Sequence, residues 1–181
     1  DYDSIERSII LNSIFIYCVA LEVLEELKIE DFIFEINSEL VECNEYSIIH
    51  ILSRHFAETT KQYDSGKTYH NENFIPRIFS IQLREVIFEI DSSKALLSKS
   101  IDKIAFRING ISYLVWTSLQ TKTVKGIGNV EFRRLETFYP IQEEEIARLK
   151  EKCELLNLSD NLSVYIPNEN IIASIDNLLN K

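Results

Sequence analysis

The feature that most limits how this chain can fold is a change of hydrophobic period near Lys103. Before it, apolar residues recur at three- and four-residue spacing. After it, Lys103 to Ile108 and Ile111 to Leu119 read as two strands joined through Asn109-Gly110, the dipeptide that suits a two-residue hairpin turn. A helical period cannot be buried as a strand, so helices come first and a sheet second. The expectation is an α+β fold: amino-terminal helices packed on a mainly antiparallel sheet of about four strands, with a carboxy-terminal helical tail.

Within the first half, Asp3 and Glu6 have capping-box spacing and open a helix to about Lys28. Its stretch from Ser8 to Leu21 carries no charge. These 14 residues are fewer than the roughly 18 a membrane span needs, so the segment reads as a buried core helix with Cys18 as a small hydrophobe. An extended piece follows at Phe32 to Ile36, a second helix from about Tyr46 to Thr60, and a polar loop from Gln62 to Asn73. Pro76 fits the first turn of a third helix ending near Asp91, whose Phe79, Leu83, Val86, Ile87 and Ile90 share one face.

Beyond the hairpin, Val130 to Tyr139 reads as a strand stopped by Pro140. Glu143, Glu144 and Glu145 then suit the positive end of a helix with Ile146, Leu149, Cys153 and Leu156 on one face. Ser163 to Ile166 looks like a last short strand and Asn168 to Leu179 a last helix. The length of 181 residues predicts one domain, divided as a helical accessory layer (1–45), a core (46–140) and a helical tail (141–181). The chain has no methionine, which reads as a piece of something longer.

Charge restricts the partners. The net charge of −10 argues against nonspecific nucleic-acid binding by the whole surface, yet residues 94–134 hold eight basic and two acidic side chains, a basic strip compatible with a phosphate ligand. Three widely spaced cysteines support neither a disulfide framework nor a zinc site and point to a reducing compartment. No metal or cofactor is expected.

All three histidines fall within 21 residues, and His50 and His55 close the hexapeptide His50-Ile51-Leu52-Ser53-Arg54-His55. Imidazole exchanges protons near neutral pH, so two histidines beside Arg54 suit acid–base chemistry on a phosphate ester. On a helix, however, the two imidazoles lie about 140° apart and share a site only where the helix turns or frays. Solvated or capped histidines are the plain alternative. On the later strand, Thr137 and Tyr139 share a face with Arg133 by simple alternation and form a hydroxyl pair able to orient an attacking 2′-hydroxyl, with Arg133 or Arg107 adding charge. Equally, both are ordinary strand formers. Lys67, beside Gly66 and Thr68, is a loop candidate for a phosphate contact; His70 and Trp116 are weaker ones.

Taken together, the helical His-Ile-Leu-x-Arg-His, the Gly66-Lys67-Thr68 loop, the long hairpin and a strand ending Thr137-Phe138-Tyr139-Pro140 resemble the phage- and toxin-associated branch of the barnase, EndoU, colicin D and RelE-like nuclease superfamily. The resemblance covers roughly Tyr46 to Pro140. It implies a nuclease-like core, metal-independent cleavage of RNA (tRNA included) by 2′-hydroxyl transesterification, His50 and His55 as acid and base, Thr137 and Tyr139 as the positioning pair, and Lys67 as a phosphate contact; the residues themselves add Arg54, Arg107 and Arg133 as candidate substrate contacts. It also implies action in the cytoplasm, delivery as part of a larger toxin or phage protein, a cognate immunity or antitoxin partner, and no membrane. The acidic charge supports a rival: an immunity-type protein that binds and neutralises a basic toxin through residues 1–49 or 135–181. A third reading, an ADP-ribosyltransferase using Arg107, Thr117-Ser118 and the 143–145 glutamates, competes with the helix-start role of those glutamates.

Overall fold

The computed structural model describes residues 2–30, 32–57 and 66–168 and has an α+β architecture. Its elements in chain order are α1 (Tyr2–Glu30), β1 (Phe34–Ile36), β2 (Glu39–Glu42), α2 (Glu45–His55), α3 (Phe79–Ser92), β3 (Lys103–Ile108), β4 (Ile111–Val124), β5 (Gly128–Pro140), α4 (Glu143–Lys152), β6 (Cys153–Asn157) and β7 (Leu162–Pro167). The strands form one sheet in the order β1-β2-β5-β4-β3-β7-β6. Every pairing is antiparallel except β2 on β5, so the sheet is mixed and has seven strands rather than the four expected.

The Asn109-Gly110 turn closes β3 on β4 as its dipeptide predicts, with both residues at positive φ (48° and 84°) and Ile108 opposite Ile111. A second turn of this kind escaped the sequence reading. Asn37 and Ser38 also take positive φ (50° and 66°) and fold β1 onto β2 without any glycine to signal it. Tertiary hydrogen bonds hold that turn: the Asn37 amide N–H donates to Asp91 Oδ1 and its Nδ2 to the Leu96 carbonyl.

The helix expected to continue through Cys153 and Leu156 instead stops at Lys152, and Cys153–Asn157 is an edge strand paired along β7. Helical and strand readings of a short apolar run are nearly degenerate in sequence, and here the ladder on β7 decides. The amino end of α4 matches its signal: Gln142 and Glu145 form a reciprocal capping box. The last expected helix, Asn168 to Leu179, lies after its first residue outside the described residues.

The main core fills one face of the sheet. Leu135 and Phe138 of β5, Val115 and Tyr113 of β4 and Phe106 of β3 meet Phe79, Leu83, Ile87 and Ile90 of α3, the periodic face read from sequence, and Ile48, Ile51 and Leu52 of α2. A smaller cluster lies on the other face, where Leu149 of α4 packs with Ala105, Leu114, Ile141, Cys153 and Tyr165.

The first helix corrects the expectation of burial. Only Val19, Ala20, Val23 and Leu27 join the core, whereas Ile5, Ile9, Ile10, Leu11, Ile14 and Tyr17 each expose at least half their surface and Cys18 is exposed. At 1.5 Å per residue the 29-residue helix is about 44 Å long, and the body of the protein covers only its carboxy-terminal half. The charge-free run is short, but the helix around it, Ser4–Lys28, is by length and composition able to cross a membrane, with mean hydropathy 1.8 over an 18-residue window.

A bulge in β5 sets which side chains share a face. Thr137 pairs with Trp116 while Leu135 pairs with Thr117, leaving Glu136 as an extra residue. Simple alternation across Glu136 therefore fails. Arg133, opposite Leu119, lies on the core side, and Thr137 and Tyr139, opposite Trp116 and Leu114, lie on the other. Arg133 is buried and structural: its Nε donates to Glu39 at 2.6 Å and its Nη1 to Asp102 at 2.6 Å and Thr117 Oγ1 at 3.1 Å, tying β2 to the entry of β3. Arg133→Ala is expected to cost about 1.5–3 kcal/mol in urea unfolding, the range for hydrogen bonds to charged groups, because the ties from the buried guanidinium are lost, and no more than that because both carboxylates regain water. A loss under about 0.5 kcal/mol, the range of an ordinary surface substitution, contradicts this role.

Candidate active site

Strand β2 pairs with β5 only at Arg133 and Arg134, and α2 then packs beside the rest of β5. The helix begins at Asn44, whose side-chain oxygen accepts from the Ser47 amide, and ends at His55, where Phe56 is already extended. That early end resolves the angular problem of the hexapeptide. His55 stands in the last turn, and its ring stacks on Tyr139 with centroids 5.1 Å apart and planes at 19°. The His50 ring lies 6.2 Å from His55, and Tyr46, one turn earlier, lies 5.8 Å from His50. Helix α2 and the far end of β5 thus meet in one row of rings, Tyr46, His50, His55 and Tyr139.

The loop after α2 is fastened to this row. The His70 amide donates to the His55 carbonyl at 2.7 Å, His70 Nε2 donates to the Phe138 carbonyl at 3.0 Å, and Gln142 Nε2 donates to the Gly66 carbonyl at 3.0 Å. Lys67 lies close enough for its charge to act on His55.

One hydrogen bond fixes the chemistry of His55. Its Nδ1 lies 3.2 Å from the Thr68 carbonyl, which can only accept, so Nδ1 carries the proton and Nε2 presents its lone pair. Burial, followed by the charges of Arg54 and Lys67 and by His50, overrides the favourable effect of that carbonyl and pushes the His55 pKa down to about 4. His50 is also shifted down, first by burial and then by Arg54, while Glu136 opposes the shift. Both rings are neutral at pH 7. Tyr139 is pushed up to about 12 by burial and by Glu145, so its hydroxyl keeps its proton. The row therefore pairs a neutral base with a protonated phenol.

A second cluster lies beside His50. Glu136, the bulge residue, is mostly buried and accepts from Arg134 through both oxygens (2.9 Å each), from Gln120 Nε2 at 3.2 Å and from Ser118 Oγ. The Arg134 guanidinium also lies over the Tyr46 ring at 5.3 Å. Arg134, Glu136, Gln120 and Tyr46 were not singled out as site residues in the sequence, and Ser118 only in the ADP-ribosyltransferase reading. Alternation had pointed Arg134 and Glu136 away from Tyr139, and nothing in the sequence announces the bulge.

Of the expected site residues, His50, His55, Arg54, Lys67 and Tyr139 come together. Thr137 is buried, and its Oγ1 has no hydrogen-bond partner among the described residues. Arg133 belongs to the core-side ion pairs, and Arg107 is held at the β3–β4 turn, where its Nε donates to the Gly110 carbonyl at 3.1 Å. Among the described residues no three His, Cys, Asp or Glu side chains are placed to hold a metal ion.

His70 is a core histidine. It is buried against Phe56 (4.4 Å), Phe138 (4.5 Å) and Phe74 (5.6 Å), and burial pushes its pKa down to about 3 against the pull of the Phe138 carbonyl. With the folded value below that of the unfolded chain, near 6.5, the unfolded state binds the extra proton between those values and stability falls as pH falls from 6.5 towards 3. The same holds for His55 between 6.5 and about 4. His70→Phe is expected to reduce the slope of unfolding free energy against pH by about 1.4 kcal/mol per unit near pH 5. Urea titrations at several pH values check this, and an unchanged slope means that His70 is already protonated in the fold.

Comparison with protein-family models, curated proteins and solved structures found no match, so the reading of the site rests on its own geometry.

Proposed function

We propose that this protein is a metal-independent endoribonuclease that cleaves by 2′-hydroxyl transesterification. The observation that carries the reading is the stack of His55 on Tyr139 with Nδ1 of His55 committed to the Thr68 carbonyl, which leaves a neutral Nε2 on a ring stacked against a phenol that retains its proton.

In this mechanism His55 Nε2 takes the proton of the ribose 2′-hydroxyl, and O2′ attacks the adjacent phosphorus. The bond from phosphorus to O5′ breaks, and O5′ takes a proton from Tyr139. The products are a 2′,3′-cyclic phosphate and a free 5′-hydroxyl. Arg54 and Lys67, whose charges are felt at His55, stabilise the negative charge that builds on the phosphoryl oxygens. His50, between Tyr46 and His55, positions the row, and Arg134 with Glu136 anchors it on β5. The reading places the protein's action on cytoplasmic RNA, with a neutralising partner protein as the safeguard such an activity requires.

The test is incubation of total RNA with the protein in excess chelator, followed by mapping of the ends. Cyclic phosphate ends produced by the wild type and lost in His55→Ala are the expected outcome. Intact RNA, or cleavage by His55→Ala undiminished from the wild type, overturns the assignment.

A further inference from the structure

A second site lies beside α4 and shares no lining residue with the row of rings. A cavity of about 370 Å³ opens between α4 and the β3–β4 turn, lined by Arg107, Ser112, Tyr165, Glu143, Ile146 and Lys150, with Ala147 and Gly110 closing it. Positions 143, 146, 147 and 150 are one face of α4 by helical spacing, so a single helix face supplies one wall.

Three observations define what fits. Arg107 Nε is spent on the Gly110 carbonyl, which fixes the guanidinium plane and leaves its terminal nitrogens for another group. Lys150 brings a second positive charge and has no ion-pair partner among the described residues. At the floor, Ser112 Oγ and Tyr165 Oη share one hydrogen bond of 2.8 Å, and both residues are almost fully buried (3% and 1% exposed). Two hydroxyls joined by one hydrogen bond leave one O–H proton undonated, and no partner among the described residues takes it. A buried donor without a partner is costly, and a ligand oxygen in the cavity satisfies it.

We propose that this cavity binds a phosphorylated sugar of pentose phosphate size. Arg107 and Lys150 hold the phosphate, with the guanidinium as a fixed fork and the ammonium as a mobile charge. The Ser112–Tyr165 pair donates to a sugar oxygen, and Ile146 with Ala147 lies against the carbon face of the ring. Glu143, the one carboxylate in the lining, accepts from a ring hydroxyl, as carboxylates do in ribose recognition. A bare inorganic anion does not use that carboxylate and is repelled by it, so the composition of the wall selects a polyol phosphate. The site is separate from the row of histidines and stands independently of the nuclease reading.

Calorimetric titration of the full chain with ribose 5-phosphate, inorganic phosphate and ribose tests the proposal. Ribose 5-phosphate is expected to bind saturably at one site and more tightly than either fragment. Arg107→Ala and Lys150→Ala each weaken it about tenfold, the usual effect of losing one charge-assisted contact. Glu143→Gln weakens ribose 5-phosphate but not inorganic phosphate, and Ala147→Trp, an exposed position that tolerates bulk, fills the space and abolishes binding. Absence of saturation at about 10 mM, inorganic phosphate binding as tightly as the sugar phosphate, or unchanged affinity in the Arg107 and Lys150 variants overturns it.

Discussion

Replacing His55 by alanine is expected to slow RNA cleavage by about 10²- to 10⁴-fold while leaving the fold intact, the range for removing a positioned general base. The side chain is half-buried at the end of α2, touches Tyr139 and makes one hydrogen bond among the described residues, to Thr68. The loss of packing is therefore small beside the loss of the base. Tyr139→Phe keeps the stacked ring and removes only the hydroxyl, so it separates proton donation from packing. The pH profile adds an independent check. Because His55 is held near 4, its base form is complete at neutral pH, and the rate is expected to stay level from about pH 8 to 5 and fall only as pH drops through about 4. An acid limb centred at 6.5, the ordinary imidazole value, removes His55 from the role of base.

Phe138→Ala is expected to be the most damaging single change to stability, at about 3–5 kcal/mol. The ring is fully buried at the centre of an aromatic cluster, with centroids at 4.5 Å from His70, 4.7 Å from Phe74, 5.7 Å from Tyr113 and 6.2 Å from Phe106. Truncation leaves a cavity lined by rigid rings that cannot close in, on top of the lost transfer energy. Against a total of about 5–15 kcal/mol for a domain, this brings the protein close to unfolding at 37 °C. The site suffers as well, since Phe138 precedes Tyr139 and its carbonyl anchors His70. Denaturant unfolding of Phe138→Ala beside Phe138→Leu measures it. A cost below about 1 kcal/mol for the alanine variant shows that the cluster repacks and that the ring is not the keystone described.

Which parts were legible follows from whether the signal was local. The Asn109-Gly110 hairpin, the periodic face of α3, the Glu-rich start of α4 and the end of β5 at Pro140 are set by residues adjacent to the structure they make, through turn chemistry, capping or period. Strands β2 and β6 are not. Each is a short run in a hairpin whose turn carries no glycine, β1–β2 through Asn37-Ser38 and β6–β7 through 158–161, and β2 gains a further partner only because β5, far away in the chain, passes beside it. The candidate site divides in the same way. The histidines, Arg54 and Tyr139 are conspicuous by type and spacing, whereas Arg134 and Glu136 become part of it only through the bulge, and Arg133 leaves it for the same reason.

The sequence by itself determined the α+β class, the helical and strand periods, and the proximity of two imidazoles to a cation, because these depend on dihedral preference and on neighbours a few positions away. Tertiary structure alone decided the seven-strand order, the exposure of the first half of α1, the neutral state of His55 and the cavity beneath α4. Desolvation, long-range pairing and the register on either side of Glu136 arise only when segments far apart in the chain are brought into contact.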